Sequence, residues 1–211
     1  HCVPNSFSYR HPDTGEWAHN MSSNIEDDVC KTYIDPIWDK LLDKGLSHIR
    51  VLEVGFGRGY NCAELIKRCE GNPAVNIELI GLEPHPEILQ PWPPRPDGWI
   101  APWWGEMKDR YSDEGSGWSL EIRPLPAQHS NAFAGEPIDA FIIDLFSMKL
   151  HATHWEQPFI ANMSASAAKG AILSSYSCAR SFRDALSAYG WHPQVLRREG
   201  WRDTLVAVFC G

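Results

Sequence analysis

The residues able to do chemistry in this 211-residue chain gather at two places. The first is Val51-Leu52-Glu53-Val54-Gly55-Phe56-Gly57-Arg58-Gly59-Tyr60-Asn61, where an acid stands two residues before a Gly-x-Gly-x-Gly turn. Three glycines let the backbone take positive φ and let a ligand approach the main chain closely. A dinucleotide turn spaces its third glycine one residue later, so that pyrophosphate rests on the helix N-terminus. Here that glycine comes early, and the carboxylate of Glu53 is expected to repel an anion. A cationic ligand without phosphate suits the turn, and S-adenosylmethionine carries both an ammonium and a sulfonium. Glu83, followed by Pro84, closes a second apolar run, where a carboxylate can accept the protons of both ribose hydroxyls. A tight loop with no ligand is the competing reading of the glycines.

The second place is Asp144-Leu145-Phe146-Ser147-Met148-Lys149, at the end of a central apolar run. In an open α/β sheet that position faces the ligand crevice. Methyl transfer to an amine needs a neutral acceptor in line with the sulfonium and a group to take or orient its proton. Asp144 fits that role, against the plainer reading that it caps the following turn. His19, His151 and His154 are further titratable groups, each otherwise an ordinary surface histidine. Arg180, Arg183, Arg197, Arg198 and Arg202 form the local basic groups, solvated charges unless they hold phosphates.

These groups need strand ends to hold them. Ile49 to Val54, Asn76 to Leu82 and Ile138 to Ile143 are short apolar runs with β-branched residues, and a helical period resumes over Cys62 to Cys69 after the glycines. Before them, Asn24 can cap a helix with apolar positions Ile25, Val29, Tyr33, Ile37 and Leu41, interrupted by Pro36. Residues 1–47 thus read as an N-terminal extension and helix. Pro91 to Trp118 holds Trp92, Trp99, Trp103, Trp104 and Trp118 among several prolines, and reads as an irregular, aromatic-packed insertion. It suits a packed lid or satellite core better than a base-stacking platform.

After Asp144 come an expected helix around Trp155 to Ala168, a strand at Ala171 to Tyr176 and a helix from Ser181 to Tyr189. Two last strands, near Pro193 to Arg197 and Thr204 to Phe209, are expected to form a hairpin through Glu199-Gly200. Alternating strands and helices imply one α/β domain over 1–211, with a mostly parallel seven-stranded sheet finished by an antiparallel edge hairpin.

Nineteen Lys and Arg against twenty-seven Asp and Glu leave a net charge of −8, which excludes a protein that coats nucleic acid by bulk electrostatics. Six scattered cysteines show neither a C-x-x-C pair nor zinc spacing, so reduced thiols and no metal are expected. No run approaches the length of a spanning helix, so no membrane contact and a cytoplasmic location are expected. The chain opens on His1 rather than Met, and the natural start is expected upstream.

With both constellations in hand, the chain resembles the methyltransferase part of the bacterial wobble-uridine family MnmC, including free-standing versions that lack its flavin oxidase domain. The sharpest element is Gly55-Phe56-Gly57-Arg58-Gly59-Tyr60-Asn61, similar to the family's G-F-G-T-G-L-N turn. Asp144-x-Phe146-Ser147 followed by Trp155 resembles its D-x-F-A/S-P-x-K-N-P-x-x-W segment, and His19 in Glu16-Trp17-Ala18-His19 its E-T-Y-H-S opening. Two departures stand out: P-x-K-N-P reads Met148-Lys149-Leu150-His151-Ala152 here, and the family's G-D after the third strand has no clear counterpart.

The resemblance implies a Rossmann-like class I methyltransferase that uses S-adenosyl-L-methionine to methylate the aminomethyl group of a modified wobble uridine in tRNA. It implies cofactor contacts at Glu53, Gly55, Phe56, Gly57, Gly59, Asn61, Glu83 and Asp144. Asp144 and Phe146 would be catalytic, His19, Lys149 and Trp155 would meet the substrate, and a separate FAD-dependent oxidase would act upstream. Two other functions remain open on the residues: a methyltransferase for a small amine metabolite, favoured by the negative charge, and a non-catalytic relative that binds the cofactor.

Overall fold

The computed structural model describes residues 10–11, 14–18, 24–85, 112–129 and 131–211, apart from the side chains of Asp113 and His154. Its strands form an eight-stranded sheet ordered β3-β4-β2-β1-β5-β6-β8-β7. They are β1 (His48–Val54), β2 (Asn76–Leu82), β3 (Ser112–Gly115), β4 (Trp118–Arg123), β5 (Ile138–Ile143), β6 (Ala167–Ser175), β7 (Trp191–Leu196) and β8 (Thr204–Phe209). β1 pairs in parallel with β2 and β5, β2 with β4, and β5 with β6. The antiparallel pairs are β3·β4, β6·β8 and β7·β8.

Apolar residues alternate across this sheet because successive side chains on a strand point to opposite faces. Val51, Leu79 and Ile142 join the core under helices α1 (Ile25–Val29), α2 (Asp35–Asp43) and α3 (Tyr60–Glu70). Leu52, Ile80 and Phe141 join a second core under α4 (Gln157–Ser166) and α5 (Arg180–Ala188). Both faces are covered, so the inner strands are apolar nearly throughout. Among the described residues no helix is long and apolar enough to cross a membrane. The described cysteines, Cys30, Cys62, Cys69, Cys178 and Cys210, are free thiols.

Several expectations need correction. The sheet has eight strands rather than seven, because β3 and β4 occupy and extend the end of the segment read as an irregular insertion. Trp118, a tryptophan of the expected loop, instead begins a strand in which Trp118, Leu120 and Ile122 are buried and alternate with more exposed positions. Gly115 makes this hairpin possible, since the Trp118 ring lies where a Cβ would stand. Residues 91–111 of the insertion lie outside the described residues. The final hairpin forms as expected, but β8 slots between β6 and β7, so β7 is the edge.

The N-terminal helix is split, with the irregularity falling just before Pro36. A π-helical turn, Cys30–Ile34, separates α1 from α2, and the Asp35 N–H reaches back to the Cys30 carbonyl. Pro36, at the start of α2, has no N–H to continue an α-helical ladder. Such wide turns shift every following side chain around the helix axis, and they are frequent at functional sites.

Candidate active site at the strand tips

Sheet register assembles the site. Val54 stands opposite Leu82 on one side and Ile143 on the other, so the residues that follow them, Gly55, Glu83 and Asp144, emerge abreast at the carboxyl edge. β1 lies between strands whose connections run in opposite directions, which is where an open α/β sheet leaves its crevice. The Asp144 N–H donates to the Val54 carbonyl at 2.9 Å, and those of Gly55 and Phe56 to the Leu82 carbonyl at 3.1 and 3.0 Å.

Glu83 closes the glycine turn from the side. Its carboxylate accepts from the Gly57 N–H and the His85 N–H, both at 2.9 Å. A turn amide that would cradle a phosphate is therefore already held by a carboxylate, whose charge disfavours a pyrophosphate there. A carboxylate at this strand end also suits ribose hydroxyl donors.

Asn61, one residue into α3, joins the two acids of the sequence motif. Its Nδ2 donates to Glu53 Oε1 at 2.7 Å and to Asp144 Oδ2 at 3.2 Å. Its Oδ1 is buried and has no hydrogen-bond partner among the described residues. The Glu53 Oε2 atom accepts from the Cys62 thiol at 3.0 Å. Glu53 is 1% exposed, so it does not present the bare, anion-repelling carboxylate that the sequence suggested. Burial pushes its carboxyl up to about 8, opposed by the hydrogen bonds from Cys62 and Asn61 and assisted by the charges of Asp144 and Glu83.

The pH consequence has a definite sign. A carboxyl raised from 4.5 to about 8 favours the folded state fully below the lower value, and that contribution is lost as pH rises through the upper one. A cationic ligand favours the ionised form. Affinity for S-adenosylmethionine should therefore increase with pH up to about 8 and then level off, with proton release on binding. Calorimetry across that range tests this, and Glu53→Gln should flatten the profile.

Tyr33 is the site residue that the sequence did not disclose. It lies in the π turn, its side chain is buried, and its hydroxyl donates to Asp144 Oδ1. Burial and the Asp144 charge hold the phenol well above its ordinary range, so it stays a donor. Burial also raises the Asp144 carboxyl, countered by the hydrogen bond from Tyr33, the Arg202 charge and the Asn61 hydrogen bond. Behind this pair, Arg202 Nη2 is 2.7 Å from Asp28 Oδ1, and its guanidinium lies 5.5 Å from the centroid of the Tyr176 ring. Tyr176 in turn donates to the Leu145 carbonyl at 2.9 Å. The only sequence signal for Tyr33 was the proline that breaks its helix.

On the acceptor side, Phe146 packs 5.0 Å from the ring of His11 and 5.1 Å from that of His151. The His151 Nε2 is 3.3 Å from Glu16 Oε2, and Glu16 Oε1 accepts from the Ser147 N–H at 3.2 Å. Lys149 is exposed on the same loop. Trp155 meets the substrate expectation poorly, because it is buried edge-on against Phe182 at 4.9 Å. Its indole N–H instead anchors the Phe146 carbonyl at 2.9 Å. Phe56 is likewise turned inward, its ring covering Gly81 in β2, so its side chain serves the core. His19 lies outside the described residues, as does the side chain of His154.

The donors and acceptors fit the expected cofactor. Glu83, Asp144 and the orphaned Asn61 carbonyl present acceptor atoms, as an ammonium and two hydroxyls require, while the turn amide of Gly57 is withheld from phosphate. Among the described residues no group of three or more His, Cys, Asp or Glu could hold a metal ion.

Comparisons with known proteins agree with this geometry. A family described as S-adenosyl-L-methionine-dependent methyltransferase matches residues 118–208. The tRNA 5-methylaminomethyl-2-thiouridine biosynthesis bifunctional protein MnmC of Caulobacter sp. (strain K31) is 27% identical over 176 residues, covering 74% of this chain and 29% of that protein. Its counterpart in Caulobacter vibrioides is 26% identical over 163 residues, covering 71% and 27%. The chain thus spans less than a third of the length of these relatives. The crystal structure of MNMC2 from Aquifex aeolicus superposes with a TM-score of 0.81 at 26% identity, covering 95% of this chain and 66% of that one. CalS10, an amino pentose methyltransferase from Micromonospora echinaspora solved with S-adenosylmethionine bound, shares the fold at a TM-score of 0.54 and 13% identity, covering 88% of this chain and 92% of that one. By a family model over residues 118–208 and by fold, the chain is similar to S-adenosyl-L-methionine-dependent methyltransferases and to MnmC proteins.

Proposed function

We propose that this chain methylates the exocyclic amine of an aminomethyl group on a modified wobble uridine of tRNA, in the cytoplasm, after a separate FAD-dependent oxidase has released that amine. The observation that carries the reading is the chain of hydrogen bonds from Tyr33 through Asp144 and Asn61 to Glu53, buried at its Glu53 end and part-buried at Asp144, set beside the glycine turn. The name borne by the two Caulobacter relatives supplies the substrate class. When bound, S-adenosylmethionine supplies an electrophilic methyl group on a sulfonium.

This chain's own residues then do three things. Glu83 and the glycine turn hold the ribose, and Glu53 and Asn61 face the amino-acid end. Asp144, fixed at Oδ1 by Tyr33 and at Oδ2 by Asn61, keeps lone pairs for the N–H of the acceptor amine. It orients the nitrogen lone pair toward the methyl carbon and receives the proton that the nitrogen sheds as the nitrogen–carbon bond forms and the carbon–sulfur bond breaks, its electron pair staying on a neutral thioether sulfur. Phe146, held by Trp155 through its carbonyl, lines the acceptor side.

Labelled methyl donor offered to bulk tRNA that lacks this modification should label the RNA, with a KM that climbs steeply as salt is raised. The net charge of −8 favours a second reading, a small amine metabolite as acceptor. That reading predicts no label in tRNA and a KM almost indifferent to salt.

A further inference from the structure

Two large hydrophobic side chains stand exposed among the described residues, Trp17 at 43% and Leu150 at 51%, and both belong to the acceptor side of the crevice. Trp17 follows Glu16, whose carboxylate binds the Ser147 N–H, and Ser147 is three residues from Asp144, at most about 11 Å of chain. Leu150 adjoins His151, whose ring lies 4.3 Å from that of His11 in the same N-terminal segment.

The segment that carries Trp17 is held in place. Arg10 and Trp17 form an antiparallel bridge, and the His11 N–H donates to the Glu16 carbonyl at 2.8 Å. The Arg10 guanidinium lies 4.4 Å from the centroid of the Trp17 ring. An indole left this exposed, with a cation against it, is an amphipathic platform: aromatic surface for a base and positive charge for a phosphate.

Resting on the tRNA reading above, we infer that Trp17 and Arg10 form a stacking and phosphate-binding platform for a nucleotide that flanks the methylated uridine. A base delivered to the crevice must leave its stack, and its neighbour loses a stacking partner. An exposed indole beside Glu16, whose carboxylate holds the loop that follows Asp144, replaces that partner, and Arg10 neutralises the adjoining phosphate. This places the RNA contact in a small local patch, as a chain of net charge −8 requires. A free small amine has no flanking base and makes no use of such a surface.

The test uses an anticodon stem–loop RNA with 5-aminomethyluridine at the wobble position. Trp17→Ala should raise the KM for this RNA by about tenfold, and Trp17→Phe should recover most of the loss. Arg10→Gln should raise it less and lower the salt slope by about one. The Kd for the methyl donor, measured by calorimetry, reports that each variant is folded. A wild-type protein that neither binds nor methylates the stem–loop would overturn the tRNA reading and this inference together. Wild-type turnover of the stem–loop, with Trp17→Ala matching it within about twofold, would overturn this inference alone.

Discussion

Asp144→Ala should reduce kcat by about 10²–10⁴-fold, the range expected when a positioned proton acceptor is removed. The loss belongs mainly to the chemical step, because Glu83 and the glycine turn, the proposed ribose contacts, are untouched. Affinity for the methyl donor should therefore fall by a smaller factor than kcat, and single-turnover transfer alongside calorimetry separates the two. Asp144→Asn keeps the shape but puts an N–H or a neutral carbonyl where the amine needs an anionic acceptor, so it should lose nearly as much. Tyr33→Phe should cost less, because Asn61 still holds Oδ2 and Arg202 still neutralises the carboxylate. If Asp144→Ala retained more than about a tenth of wild-type kcat, the assignment of Asp144 as the proton acceptor would be lost.

Gly55→Ala should destabilise the fold by about 3–5 kcal/mol, combining backbone strain with overpacking. Gly55 has φ +85°, a conformation L side chains rarely adopt. A Cβ added there would also run into the Asp144 carbonyl, with the carbonyl carbon 2.9 Å away. The neighbour is backbone at the end of a central strand, which has nowhere to move without displacing the Asp144 side chain. Gly45 provides the control: its φ is +67° but nothing lies within 4 Å of an added Cβ, so Gly45→Ala should cost only about 1 kcal/mol. Urea unfolding of the two variants against the wild type measures the difference. Equal midpoints for the two would show that the close approach to Asp144 carries no energy.

The residues of the crevice were legible because strand ends are locally encoded. An apolar run with β-branched residues stops where a glycine or an acid begins, and that pattern located Gly55, Glu83 and Asp144 before any register was known. The helix after the glycines and the final hairpin were readable for the same reason. β4 was missed although its alternation is regular, because Trp118 shares its residue type with the tryptophans that precede it. Trp155 and Phe56 were placed in the site by motif position, whereas the cores on the two sheet faces claim their rings. A motif position says which backbone comes near the ligand; it does not say which way the side chain turns.

The sequence by itself determined the order of strands and helices apart from β3 and β4, the glycine turn, and the acids at or near the ends of β1, β2 and β5. Only the tertiary structure decided that Tyr33 meets Asp144 across 111 residues, that Asn61 bridges Glu53 and Asp144, and that Glu53 is buried enough to favour its proton. Local patterns arise from neighbouring residues and the period of one element. Contacts between elements depend on strand register and on the angle at which a π turn delivers its side chains. A carboxyl's proton affinity depends on how much water the assembled crevice excludes.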